Sequence, residues 1–201
     1  MISDVSSSVD SIDDGLENIA ESEEILFKNN ISKQWVTFDS IVEESSKDVD
    51  KLNKSIERLR SDSENLSLSD KIEIEEEVFE KEQEKLKEYE NQVTALKNTL
   101  SKDDLGKMLS EAGVDIDSLD IESLESFDNA IDQIDDKLKE LKDNNADGKN
   151  NSLIEVWEDI RKKIESARDS AEKYKEIMDD IAVSSEKVKA AEDKIETSKV
   201  D

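Results

Sequence analysis

Residues 152–195 read SLIEVWEDIRKKIESARDSAEKYKEIMDDIAVSSEKVKAAEDKI, and one line of positions recurs through them at alternating steps of four and three. It runs Leu153, Trp157, Ile160, Ile164, Ala167, Ala171, Tyr174, Met178, Ile181, Ser185, Val188, Glu192, Ile195. That alternation is the heptad pattern, which lays a narrow apolar stripe along one face of an α-helix for another helix to cover. The stripe is not uniform. Up to Ile181 it carries large apolar side chains, with Ala167 and Ala171 permitting close approach, so this half is expected inside the fold. Beyond Ile181 the seam weakens, and the tail is expected to fray or to await a partner.

The pattern extends outward from this helix. Leu124, Phe127, Ile131, Ile134, Leu138 and Leu141 form a second seam, separated from the first by the loop DNNADGKNN. Before it, GVDIDSLDIESL reads as a connector with Val114 and Ile116 pointing inward, and Leu105, Met108, Leu109 and Ala112 mark a short helix ended by Gly113. Ile72, Phe79, Leu86, Tyr89, Val93, Leu96 and Leu100 make a third seam, in which Glu75 and Glu82 are expected to face solvent. Ile31, Trp35, Phe38, Val42, Ser45, Val49, Leu52, Ile56 and Leu59 make a fourth, preceded by Val5, Val9, Ile12, Leu16, Ile19 and Leu26 after a phase slip near Asn29 and Asn30. The spacing predicts helices over about 4–28, 31–64, 70–100, 102–112, 119–142 and 152–198, in one extended domain spanning 1–201. A slip of this kind fits either one bent helix or two.

The fold class is therefore all-α, an elongated antiparallel helical bundle or coiled coil. The first two helices together span roughly 90 Å at 1.5 Å per residue, and the next ones laid end to end cover nearly the same distance. This gives a three-helix arrangement that resembles a spectrin-type rod in outline, with the 119–142 helix alongside 4–28. Composition agrees: 41% of residues are charged, 34% are apolar, and Pro is absent, so thin helix–helix seams are within reach and a thick core is not.

A net charge of −27 sets long-range repulsion against nucleic acid and anionic membranes, and favours a protein partner with a basic surface. The same heptads serve intramolecular packing and homo-oligomerisation equally. The longest apolar run is three residues, so neither a membrane-spanning helix nor a secretory signal is expected, and a cytoplasmic or virion-associated setting is favoured. Neither His nor Cys is present, which removes the commonest general base, thiol nucleophiles and the Glu-x-x-His di-iron pattern; no Gly-rich phosphate loop appears. No catalytic residue is assigned. The aromatic side chains fall on or beside seams, leaving no stacking platform for a single strand.

Two local signals remain. Asp143, Asn145, Asp147 and Asn151 carry oxygens at positions 1, 3, 5 and 9 of a loop with Gly148 at position 6, and so resemble an EF-hand or dockerin calcium site. Position 12 is Ile154 rather than an acid, and the simpler reading is an interhelix loop in which Ser152 and Glu155 form a capping box. Calcium is the one cofactor the sequence admits. The other signal is charge: residues 1–27 hold eight acids and no base, and residues 108–136 hold ten acids and no base. From the second block, Asp115, Asp117, Asp120, Glu122, Glu125, Asp128, Asp132 and Asp135 are the candidate partner-binding residues. The leading expectation is a non-enzymatic acidic structural or adaptor protein. Its competitors are a DNA-mimic inhibitor of a nucleic-acid-binding protein, built from the two acidic blocks side by side, and a calcium-responsive helical module.

Overall fold

The structure, a computed structural model, describes residues 2–63, 66–145 and 148–198; the side chains of residues 2–27, Asp103 and Ser198 lie outside that description. Among the described residues it contains five helices and no strand. They are α1 (Ile2–Asp62), α2 (Leu68–Leu100), α3 (Asp103–Glu111), α4 (Leu124–Asp143) and α5 (Asn151–Ser198). The protein is an all-α helical bundle. No helix among the described residues is long and apolar enough to cross a membrane.

Three boundaries differ from the sequence expectation, each for a local reason. α1 runs unbroken through Asn29 and Asn30, because Asn costs a helix only a fraction of a kcal/mol and a phase slip turns the seam without breaking the backbone ladder. α2 begins at Leu68 under a cap from Ser67, whose hydroxyl accepts from the Asp70 amide at 3.2 Å and donates to its carboxylate at 2.7 Å. α4 begins at Leu124 rather than 119. The preceding residues are held in a turn in which the Asp120 amide donates to Ser126 Oγ, and the Glu122 amide to Asp120 Oδ1, bonds that compete with a helix. α3 ends at Gly113 as expected, with φ of +80° and the Val114 amide on the Leu109 carbonyl. The corner between α2 and α3 depends on Gly106, where a Cβ would lie 2.8 Å from the Ser101 carbonyl oxygen.

Polar contacts fix how the helices lie. Gln92 on Ser45 and Arg60 near Glu82 set α1 antiparallel to α2; Ser170 on Gln92 and Tyr174 on Glu90 set α2 antiparallel to α5. Lys28 with Glu155 and Lys163 with Asp39 make α1 and α5 parallel, though they touch over a short stretch only. α4 is antiparallel to α5, through Asp128 with Arg168 and Lys142 with Glu158. α4 is therefore level with α1 from about Lys28 onward, not with 4–28, and residues 2–27 have almost no stretch of α5 level with them.

The main core lies where α3, α4 and the connector join the long helices, around Trp157, Phe127, Ile134, Ile160 and Ile164, with Val114 and Ile116 turned inward as expected. Trp35 and Phe38 meet edge to face at 5.9 Å, and Lys163 Nζ lies 5.7 Å from the Trp35 ring centroid. A smaller cluster of Val49, Leu86, Tyr89, Tyr174 and Ile177 continues down the bundle. Here the seams leave the heptad count by one position: Ile177 is buried and Met178 exposed, Val78 is buried and Phe79 exposed. Followed from Leu96 back toward the start of α2, a helix of 3.6 residues per turn drifts to lower-numbered positions than a strict seven-residue repeat, which brings Val78 in for Phe79; on α5 the line shifts phase instead, and Tyr174, Ile177 and Ile181 keep steps of three and four. Beyond Ile181 no residue of 182–197 is buried, although the helix continues to Ser198.

Removing residues 184–201 is expected to move the melting temperature by no more than about 2 °C, since it uncovers little apolar surface. Ile164→Ala, at a position with no exposed surface, is expected to cost about 2–5 kcal/mol in chemical denaturation.

Candidate protein-interaction surface

Helical geometry puts Glu125, Asp128, Asp132 and Asp135 on one stripe of α4, since they are three or four residues apart. The structure divides them. Asp128 accepts from Arg168 Nε at 2.5 Å, and Asp135 takes Arg161 in two bonds, from Nε at 2.6 Å and from the terminal nitrogen at 3.1 Å. These two acids clamp α4 to α5. Asp115 and Asp120 are exposed but turned to their own loop, accepting from the amides of Ser118 and Glu122. The carbonyls of Asp117 and Leu119 accept from Lys97 Nζ at 3.0 and 2.8 Å, which moors the connector to α2. Four carboxylates remain, those of Asp117, Glu122, Glu125 and Asp132, all exposed and without an ion pair among the described residues.

Because α4 is level with α1 from Lys28 onward, residues 108–136 do not lie alongside residues 1–27. The midpoint of the N-terminal block is about 40 Å along α1 from the level of Asp128, at 1.5 Å per residue. The side-by-side acidic blocks expected from the sequence do not form, since α4 packs on α5.

In the loop after α4, Asn145 Oδ1 accepts from the Asn150 amide and its amide nitrogen donates to Asn151 Oδ1, both at 2.7 Å. Two of the four candidate calcium oxygens are thus engaged in closing the turn; Asp143 is the last residue of α4, and Asp147 lies outside the described residues. Among the described residues no group of three acids is placed to hold a metal. The capping box is not made either: Ser152 is already inside α5, and the Glu155 carboxylate meets Lys28.

Interior polar residues leave no trace in the apolar periodicity. Ser45, Gln92 and Ser170, each under 8% exposed, form one layer across three helices. Ser45 Oγ donates to the Glu88 carbonyl at 2.9 Å, Gln92 Nε2 donates to Ser45 Oγ at 2.9 Å, and Ser170 Oγ donates to Gln92 Oε1 at 2.7 Å. Below it, Glu82 is 5% exposed rather than solvent-facing, paired with Lys85 at 2.8 Å and with Arg60 at 4.0 Å. A buried carboxylate is tolerable there because its counter-charges come with it. Ser45 on an otherwise apolar seam was the one visible hint.

Next to this layer, α1, α2 and α5 line a groove of about 510 Å³, with Lys85, Tyr89 and Gln92 among its lining residues. Burial, with the negative charges of Asp50, Glu176 and Glu82, pushes the Tyr89 phenol above its ordinary pKa; burial and Glu90 do the same to Tyr174. No protein-family model, curated protein or solved structure matches the chain.

The chain has two tyrosines, and both are raised, so a phenolate absorbance titration of the folded protein should run at higher pH than that of the unfolded chain. The sign follows from linkage. The unfolded phenols ionise near pH 10, so the tyrosine contribution to stability is complete below that pH and is lost as the pH rises through the folded values. Tyr89→Phe and Tyr174→Phe together should flatten this alkaline loss.

Proposed function

We propose that this protein is a non-enzymatic helical adaptor, an extended bundle that offers acidic surface to a basic protein partner. The observation that carries the reading is the unpaired set Asp117, Glu122, Glu125 and Asp132, standing beside Asp128 and Asp135, which arginines of α5 neutralise. Glu125 and Asp132 are fixed on a helix that is itself clamped in place, so a partner pairing with them loses little further backbone freedom. The absence of His and Cys supports the non-enzymatic half of the reading. No cofactor enters it. Self-association through the exposed seam beyond Ile181, and a cytoplasmic or virion-associated setting, are compatible with the same role.

Exposed acids act over distance and mainly set association rates. The immobilised chain is expected to bind Lys- and Arg-rich peptides but not Glu-rich counterparts, with the association rate falling steeply between about 50 and 300 mM salt. Glu122→Gln, Glu125→Gln and Asp132→Asn together should slow association severalfold with the helical circular dichroism unchanged. Binding that ignores both salt and these substitutions would contradict the reading.

A further inference from the structure

α4 covers only part of the length that α2 and α5 share. With Asp128 on Arg168, its first residue, Leu124, is level with about Glu172, whereas α5 runs on to Ser198. The face of α5 on which α4 sits does not stop there. Ile160, Ile164 and Ala167, each at most 3% exposed, belong to the core that α4 completes. Eighteen residues, about five helical turns, carry them along the same side of α5 to Met178, Ala182 and Ser185, and all three of these are exposed, Met178 by 43%. On α2, Phe79 stands about five turns from Lys97, whose ammonium moors the connector, and is 38% exposed. Between the two helices lies an open groove of about 380 Å³, in which Phe79 and Val188 supply apolar surface beside Ser184 and Ser185. Its other lining residues are Glu75, Glu76 and Glu80, none with an ion pair among the described residues. Uncovered apolar surface rimmed by charge is characteristic of interaction sites.

We propose that this groove seats an amphipathic helix of a partner protein, lying in line with α4 as its continuation. Its apolar stripe rests on Phe79, Met178 and Val188, and its Lys or Arg side chains lie beside Glu75, Glu76 and Glu80. Two observations select this occupant. The same face of α5 already takes a helix of this chain one level higher, so the seat has the shape of a helix. Three carboxylates and no basic residue on the lining favour a cationic edge, and they disfavour a second copy of a chain whose net charge is −27. From Met178 to Val188 the seat is about 15 Å long, roughly three helical turns. The proposal rests on the adaptor reading and deepens it: the α4 carboxylates speed encounter, and the groove holds the partner once it has arrived.

The test is methyl NMR on the full chain, labelled at methionine and titrated with a designed amphipathic Leu/Lys helix of about twelve residues, or with a scrambled peptide of the same composition. Met178 lies on the proposed seat, and Met108, packed against the main core, serves as internal reference. The designed helix is expected to shift Met178 and to leave Met108 unmoved. Ser185→Arg puts a bulky cation on an exposed position of the seat, and Phe79→Ser removes exposed apolar surface. Each is expected to weaken binding roughly tenfold, with circular dichroism and melting temperature reporting that the fold is intact. Glu75→Gln, Glu76→Gln and Glu80→Gln together should weaken it severalfold. A silent Met178, equal binding of the scrambled peptide, or unchanged affinity in the Ser185→Arg variant would overturn the proposal. If Met178 stays silent while the α4 substitutions still slow the association of Lys-rich peptides, the groove assignment falls and the adaptor reading stands. A dimer of the chain alone that Ser185→Arg dissociates would assign the seat to a second copy, and would overturn the proposal as well.

Discussion

The hydrogen-bonded layer of Ser45, Gln92 and Ser170 is the constraint on which the bundle's alignment depends. Apolar seams at heptad spacing are nearly degenerate: sliding one helix by seven residues presents another apolar stripe to the same partner at little cost. A buried amide does not slide. Moving α1 or α5 against α2 would separate Gln92 from Ser45 or Ser170, and each buried polar group left without a partner costs about 1–3 kcal/mol. One layer therefore converts three interchangeable seams into a single register. The Glu82–Lys85 pair, with Arg60 opposite, adds a second polar mark further down α1 and α2.

Two consequences follow from that register. Above the layer, α1, α2 and α5 lie where α3, α4 and the connector can complete a continuous core around Trp157 and Phe127. Below it a smaller cluster of Val49, Leu86, Tyr89, Tyr174 and Ile177 continues across the same three helices, and the α5 seam beyond Ile181 has no buried residue among the described residues. Charge follows the same division. Where α4 must be held, Arg161 and Arg168 neutralise Asp135 and Asp128; Glu140 pairs with Lys137, and Glu125 and Asp132 have no ion pair among the described residues. Exposed pairs of this kind are worth only about 0.2–1 kcal/mol each, so the clamp orients α4 more than it stabilises it. Stability resides in the apolar core, and the surplus of acids stands on the surface.

The helices were legible because their determinants are local. The seam from Ile31 to Leu59 on α1, the turn at Gly113, and Val114 and Ile116 turned inward can each be read from residues a few positions apart. Strict heptad counting fails at Phe79, where the drift of a helix of 3.6 residues per turn brings Val78 inside, and at Met178, where the buried line on α5 shifts phase to Ile177. The acidic stripe was visible as composition, but not its division into clamped and unpaired members, because Asp128 finds Arg168 forty residues away. Gln92 was hidden for the same reason, whereas Glu82 stands on the seam with Lys85 three residues on and differs only in being buried. Apolar periodicity cannot mark a buried polar residue whose partners lie 47 and 78 residues distant, as Ser45 and Ser170 do from Gln92.

The polar layer can be tested directly by comparing two variants with the parent chain, in chemical denaturation and in light scattering. Gln92→Ala leaves Ser45 and Ser170 without their partner and is predicted to cost about 1–3 kcal/mol while the oligomeric state is kept. Replacing the whole layer, Ser45→Ala with Gln92→Leu and Ser170→Ala, is predicted to restore or exceed the parent's stability but to populate more than one oligomeric state, because the seams regain their freedom to slide. A neutral Gln92→Ala, together with a triple variant that keeps the parent's single state, would contradict the claim that this layer sets the register.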